Sequence, residues 1–117
     1  MAIPHATPGD VIDVRPLGAA LATTRTHALF KSGDLEVIRV VLLAGDEMPP
    51  HVVAGEITVQ CIEGCIAFTC DVGVRQLAAG ELIHVSGDEM HALRGIENAS
   101  LLLTIALKQA PSGGVKR

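Results

Sequence analysis

From Leu35 onward the chain is a succession of short apolar stretches separated by turn formers. Leu35-Glu36-Val37-Ile38-Arg39-Val40-Val41-Leu42-Leu43 is rich in β-branched residues and alternates in part. Ile57-Thr58-Val59-Gln60-Cys61-Ile62 alternates at period two. Cys65 to Cys70, Val72 to Leu77 and Glu81 to Val85 follow, and Ala99 to Leu107 is a longer stretch around Leu101-Leu102-Leu103. A period of two sends alternate side chains to one face, so these segments are predicted to be β-strands. Between them stand Ser32-Gly33-Asp34, Ala44-Gly45-Asp46, Glu63-Gly64, Asp71-Val72-Gly73, Ala79-Gly80 and Ser86-Gly87-Asp88, all with turn chemistry. Short strands at regular turn spacing predict an all-β sandwich or barrel. Helical periodicity is lacking apart from one turn at Ala19 to Ala22. No internal repeat is present, and Pro111 to Arg117 reads as a polar C-terminal tail.

A chain of 117 residues suits one domain around one core. Hydrophobic residues make up 49% and charged residues 19%, which places it among globular rather than disordered sequences. The net charge is −4, no Lys or Arg run forms a basic stripe, and Phe30 and Phe68 are the only large aromatics. That inventory supplies neither phosphate neutralisation nor base stacking, so no nucleic-acid partner is expected. The longest apolar run, Val40-Val41-Leu42-Leu43-Ala44, is too short to cross a bilayer, and no membrane association is expected. Met1-Ala2-Ile3-Pro4-His5 has neither the basic start nor the apolar core of a secretory leader. Cys61, Cys65 and Cys70 are odd in number and lie in strand-like sequence, so they read as reduced thiols of a cytoplasmic protein. Their gaps are not the paired gaps of a zinc site. A Gly-rich phosphate loop and a nucleophile elbow are also missing.

Two spaced motifs carry the remaining information. Gly45 is followed by five residues and then His51; two positions later comes Val53, after three more residues Ile57, and after six more Gly64. Gly80 is followed by five residues and then Ser86, with Asp88 two positions on, His91 after two further residues, and Gly95 after three more. Fifteen residues, Cys65 to Ala79, separate the motifs. In register, these residues resemble the two motifs of the cupin superfamily, in the form of a small single-domain RmlC-like cupin. The resemblance covers roughly 35–107. It implies a double-stranded β-helix or jelly-roll barrel, here one domain over 1–110 with its core at about 35–107. It also implies a metal site on four positions, of which His51 and His91 match and two hold Val53 and Ile57. Small cupins are commonly homodimers, and exposed strand edges need covering, so a homodimer is expected.

His51 and His91 are expected to converge inside the barrel and to be either the protein ligands of one divalent metal ion (iron, zinc, nickel, manganese or copper) or two buried, hydrogen-bonded imidazoles. Catalytic zinc keeps three protein ligands, and non-haem iron oxygenases take two histidines and a carboxylate. Glu56 is a third donor only if a bulge near Gly55 turns it inward; alternation with an inward Ile57 sends it outward. Val53, Ile57, Val59 and Cys61 are expected to line the pocket, with Cys61 a soft ligand, a nucleophile or a small buried residue. His84 joins them as either a third imidazole or an exposed strand residue. Asp88 and Glu89 are either a carboxylate pair that orients an imidazole or simple turn residues. His5 and His27 are expected at the surface.

Three functions fit these residues. The first is a small-molecule-binding barrel with a reduced histidine site, with or without a loosely held divalent metal. The second is a metal-dependent dioxygenase or isomerase, or a metal-free enzyme with a histidine as general base. The third is a non-catalytic sensor or interaction module. The scarcity of aromatics argues against a sugar-stacking site and thus against nucleotide-sugar epimerisation, an activity of some cupins.

Overall fold

The computed structural model describes residues 5–107. The expected tail at 111–117 lies outside them. The described residues form nine strands and one 3-10 helix, Gly18–Thr23, at the position of the anticipated single turn. The strands are β1 (His27–Lys31), β2 (Leu35–Leu42), β3 (Glu47–His51), β4 (Ile57–Glu63), β5 (Cys65–Cys70), β6 (Gly73–Ala78), β7 (Leu82–Val85), β8 (His91–Gly95) and β9 (Ala99–Ala106). They assemble into two antiparallel sheets, a five-stranded one ordered β1-β2-β9-β4-β7 and a four-stranded one ordered β3-β8-β5-β6. This is a jelly-roll barrel, as the strand pattern and motif spacing predict. No helix among the described residues is long and apolar enough to cross a membrane.

The core lies between the sheets. Val40 and Leu42 of β2, Ile57, Val59 and Cys61 of β4, and Ala99 and Leu101 of β9 face Ile66, Phe68 and Cys70 of β5 and Leu93 of β8. Each set occupies alternate positions of its strand, which is how period-two sequence becomes a buried face. Three strands did not declare themselves in the sequence: β1, β3 and β8. Of these β3 is the most instructive, because Glu47-Met48-Pro49-Pro50-His51 carries two prolines. Proline cannot donate to a ladder, and β3 escapes the penalty by lying at the edge of its sheet with β8 as its one neighbour. The turn between β4 and β5 depends on Gly64, with φ +81°, where a Cβ would sit 2.1 Å from the Asn98 carbonyl oxygen.

The outer face of the five-stranded sheet is covered by the segment that precedes β1. Arg39 points to that face yet is only 3% exposed. Its guanidinium donates to the carbonyls of Arg15 (3.0 Å) and Asp13 (3.4 Å) and to Ser100 Oγ (3.3 Å). Ser100 Oγ donates to Glu63, whose carboxylate also accepts the backbone N–H groups of Leu17 (2.8 Å) and Gly18 (3.0 Å). One cation and one anion thus fasten the N-terminal segment to β2, β4 and β9. Burial alone would raise the Glu63 carboxyl; the bonds from Ser100, Leu17 and Gly18 and the charge of Arg39 outweigh it and hold it below the ordinary glutamate value. A depressed carboxyl stabilises the fold above its unfolded value near 4.5 and loses that contribution as pH falls through the lower folded value. The Glu63→Gln variant is therefore expected to be less stable at neutral pH by about 1–3 kcal/mol. Its stability should also fall less steeply than that of the parent below pH 4.5. Urea unfolding across pH 3–7 checks both.

Candidate functional site

The sequence motifs meet where β3 and β8 pair. His51 and His91 are direct cross-strand partners, and Met48 stands opposite Leu93. Between these pairs two residues of β3, Pro49 and Pro50, stand against one of β8, Ala92. The extra residue is a bulge at Pro49-Pro50. Without it, residues three apart would face opposite sides of the sheet; with it, Met48 and His51 both face the interior. On β8, His91 and Leu93 are buried and Arg94 is exposed, so β8 keeps its simple alternation.

These side chains line one cavity with Val40, Ile57, Val59, Leu101 and Leu103. Its volume is about 20 Å³. That is room for roughly one water. Its wall is aliphatic apart from Met48 and the two imidazoles.

The rings of His51 and His91 meet edge to face, with centroids 4.2 Å apart and planes at 63°. His91 is 3% exposed and lies parallel to Phe68, centroids 6.0 Å apart. His51 is exposed at the mouth. Each ring bonds through Nδ1 to the backbone carbonyl two residues back: His51 to Pro49 at 3.0 Å and His91 to Glu89 at 3.1 Å. A carbonyl oxygen only accepts, so Nδ1 is the donor in both. In the uncharged ring Nε2 then carries the lone pair. Neither Nε2 has a hydrogen-bond partner among the described residues. Burial lowers the pKa of His91 below its ordinary 6.5; the Glu89 carbonyl opposes this and the charge of His51 adds to it.

The other expected site residues fall into two groups. Ile57 and Val59 line the cavity. Val53 is half-buried against the core but does not line it. Cys61 is fully buried and also stands off it, its thiol turned to the carbonyls of Glu63 (3.4 Å) and Gly64 (3.6 Å). Burial, chiefly, pushes that thiol up to about 11, which removes it as a nucleophile near neutral pH. All three cysteines are free and buried. His84 is a correction: it faces outward, because it pairs with Thr58 on the face opposite buried Ile57 and Val85. There its Nε2 meets the Glu56 carboxylate at 2.7 Å. Each occupies the other outside the cavity, so neither completes a ligand set with His51 and His91.

Glu89 supports the site in an unforeseen way. Its carboxylate accepts from the N–H groups of Ser86 (3.1 Å) and Asp71 (3.0 Å), closing a turn in which Asp88 has φ +62°. The same residue orients His91 through its backbone carbonyl rather than its side chain. His5 is exposed as expected; His27 is half-buried on β1. Met48 was missed, although it lies inside the first motif between Gly45 and His51. Two prolines hid the strand and with it the phase of Met48.

Among the described residues no three of His, Cys, Asp and Glu are grouped as a metal site needs. The donor set at the cavity thus does not fit the three-ligand zinc or two-histidine-one-carboxylate iron site.

Many solved structures share this architecture. A conserved Streptococcus pyogenes protein of unknown function superposes with a TM-score of 0.72 at 22% identity, over 94% of this chain and 97% of that one. A cupin superfamily protein from Desulfitobacterium hafniense gives 0.72 at 16% identity, over 88% and 100%. An RmlC-like cupin from Desulfovibrio desulfuricans gives 0.69 at 22% identity, over 83% and 97%. No protein-family model and no curated protein matches the sequence.

The tautomers are directly measurable. Long-range 1H–15N spectra at pH 8 should show the Nδ1–H form for both histidines, and His91 should titrate below 6.5. A base held low in the fold makes stability fall as pH drops from 6.5 towards its folded value, because the unfolded chain takes up the proton first. An Nε2–H signal from His91 at pH 8 would contradict the assignment.

Proposed function

We propose that this chain, whose fold is that of the cupin superfamily, is a binding barrel whose site is the His51–His91 pair above the aliphatic cavity. The observation that supports the reading is the pinning of both Nδ1 atoms to backbone carbonyls. It leaves two acceptors, both Nε2, on rings that meet edge to face beside a wall that is otherwise almost wholly apolar. Such a site selects a small molecule that donates a hydrogen bond, or a Lewis acid, and that brings a compact apolar group. The cavity admits little, so the bulk of an organic ligand rests at the mouth beside His51. An enzyme of dioxygenase or isomerase type is less well supported, since Glu56 and His84 are committed to each other outside.

Assembly as a homodimer belongs to the same proposal. Val74 on β6 and Leu82 on β7 are 64% and 60% exposed on strands at the edges of the two sheets, and such edges are commonly covered by a partner. Sedimentation equilibrium should show a dimer that Val74→Lys with Leu82→Lys weakens.

The ligand class is tested by titrating small alcohols and phenol against acetate at pH 8, with the histidine resonances as the readout. The donors should shift His51 and His91 with dissociation constants of about 1 mM, and acetate should not. His91→Ala should abolish the response. Donors that move only residues elsewhere, for instance along the outer groove of Gly55, Ser86 and Ala106, would refute the reading.

A further inference from the structure

The wall of the cavity is not equally firm on all sides. All but two of its lining residues stand on β2, β4, β8 and β9, strands that are each paired with a neighbour on both sides. Leu103 apart, these residues are at most 6% exposed, and close packing holds buried side chains in place. Val40, Val59 and Ile57 are also branched at Cβ and stiff. The two exceptions, Met48 and His51, belong to β3, the edge strand with β8 as its one neighbour. The ring of His51 is pinned by the bond from Nδ1 to the Pro49 carbonyl. Met48 is held by packing against the core. It is half-buried, so its side chain stands between the cavity and solvent. An unbranched thioether with three rotatable bonds changes shape at little cost.

With that wall closed, the cavity of about 20 Å³ has room for roughly one water. An apolar group of a ligand enters only when part of the wall moves aside. We propose that Met48 is the gate and size filter of this site: its side chain turns outward to admit the apolar chain of a ligand whose hydroxyl bonds the imidazoles, and the space it vacates sets the largest chain admitted. The inference rests on the reading of both Nε2 atoms as open acceptors, and it adds which residue decides what goes inside. The vacated space is that of a methylene, a sulfur and a methyl, joined to the room for a water. A short unbranched alkyl chain matches it. The ligand class is thus a small primary alcohol, with any longer or broader part left outside at the mouth.

The test is a homologous series. Methanol, ethanol, 1-propanol, 1-butanol and 1-hexanol are titrated against the full chain at pH 8, with the resonances of His51 and His91 as the readout. In the parent protein each added methylene should tighten binding about fourfold as far as 1-butanol, and 1-hexanol should gain nothing further. Met48→Ile keeps the volume but brings a stiff branch at Cβ, so the gain from methanol to 1-butanol should shrink by at least about tenfold. Met48→Ala removes the gate, and the gain should continue to 1-hexanol. Ratios between alcohols are compared, so a general change in affinity does not enter. A measurement on the parent protein needs no variant: with the methionine methyls labelled with 13C, 1-butanol should shift the Met48 signal and methanol should not.

Alcohols that move both histidines while the Met48 methyl stays in place would overturn the gate and leave the binding reading standing. An unchanged ratio of methanol to 1-butanol in Met48→Ile would do the same. Failure of every alcohol to move either histidine would sink the binding reading and the gate with it.

Discussion

Everything at the site depends on the phase of one edge strand. β3 contributes Met48 and His51, three positions apart, and an unbroken strand would bury one and expose the other. The Pro49-Pro50 bulge adds one residue against β8 and brings both inside. Two prolines achieve this with little cost because the strand is at an edge and pairs on one side only. The bulge also gives the Pro49 carbonyl to His51, so the irregularity that sets the position of the ring also sets its tautomer. Geometry and protonation at this end of the barrel share one cause.

β8 answers with regularity. His91 sits one alternate position from Leu93, deep enough to be stacked on Phe68 and too dry to carry a proton readily. Its hydrogen bond to Glu89 draws on a turn held by the Glu89 carboxylate, which reaches as far as Asp71. That acid therefore fixes a loop with its side chain and an imidazole with its backbone. A substitution there would disturb both, even though Glu89 contributes nothing to the wall of the cavity.

The sequence spoke most clearly where alternation was unbroken. β2, β4, β5 and β9 stand within a residue of the segments read from period two, because each has one face in a continuous core and the pattern is the direct record of that face. The two motifs located His51 and His91 as partners before any strand was assigned to either. Legibility failed where phase was broken or where a neighbour decided the outcome. Met48 was invisible behind two prolines. His84 had an undetermined face, since the turn before His91 resets the count; its pairing with Thr58 turns it outward to Glu56. Cys61 had the right parity but the wrong height: it shares the inward face of Ile57 and Val59, yet it lies next to the β4–β5 turn, beyond the cavity. Period two reveals the side of a sheet and nothing about depth along the barrel.

The distribution of charge completes the argument. The outer face of the five-stranded sheet carries a buried Arg39 and a half-buried Glu63, matched through Ser100 and by the backbone of the N-terminal segment. Among the described residues every side-chain nitrogen or oxygen wholly cut off from solvent has a partner, and the unpartnered Nε2 of His91 is not among those atoms. Inside the barrel the order is reversed: the cavity wall carries no carboxylate and no Lys or Arg, and apolar Ile57 stands where a charged or polar side chain would need water or a partner of its own. An ion seated there would meet no carboxylate to offset a double charge. The apolar lining at Ile57 therefore leaves the two imidazoles in a drier surrounding than a charged or polar side chain there would.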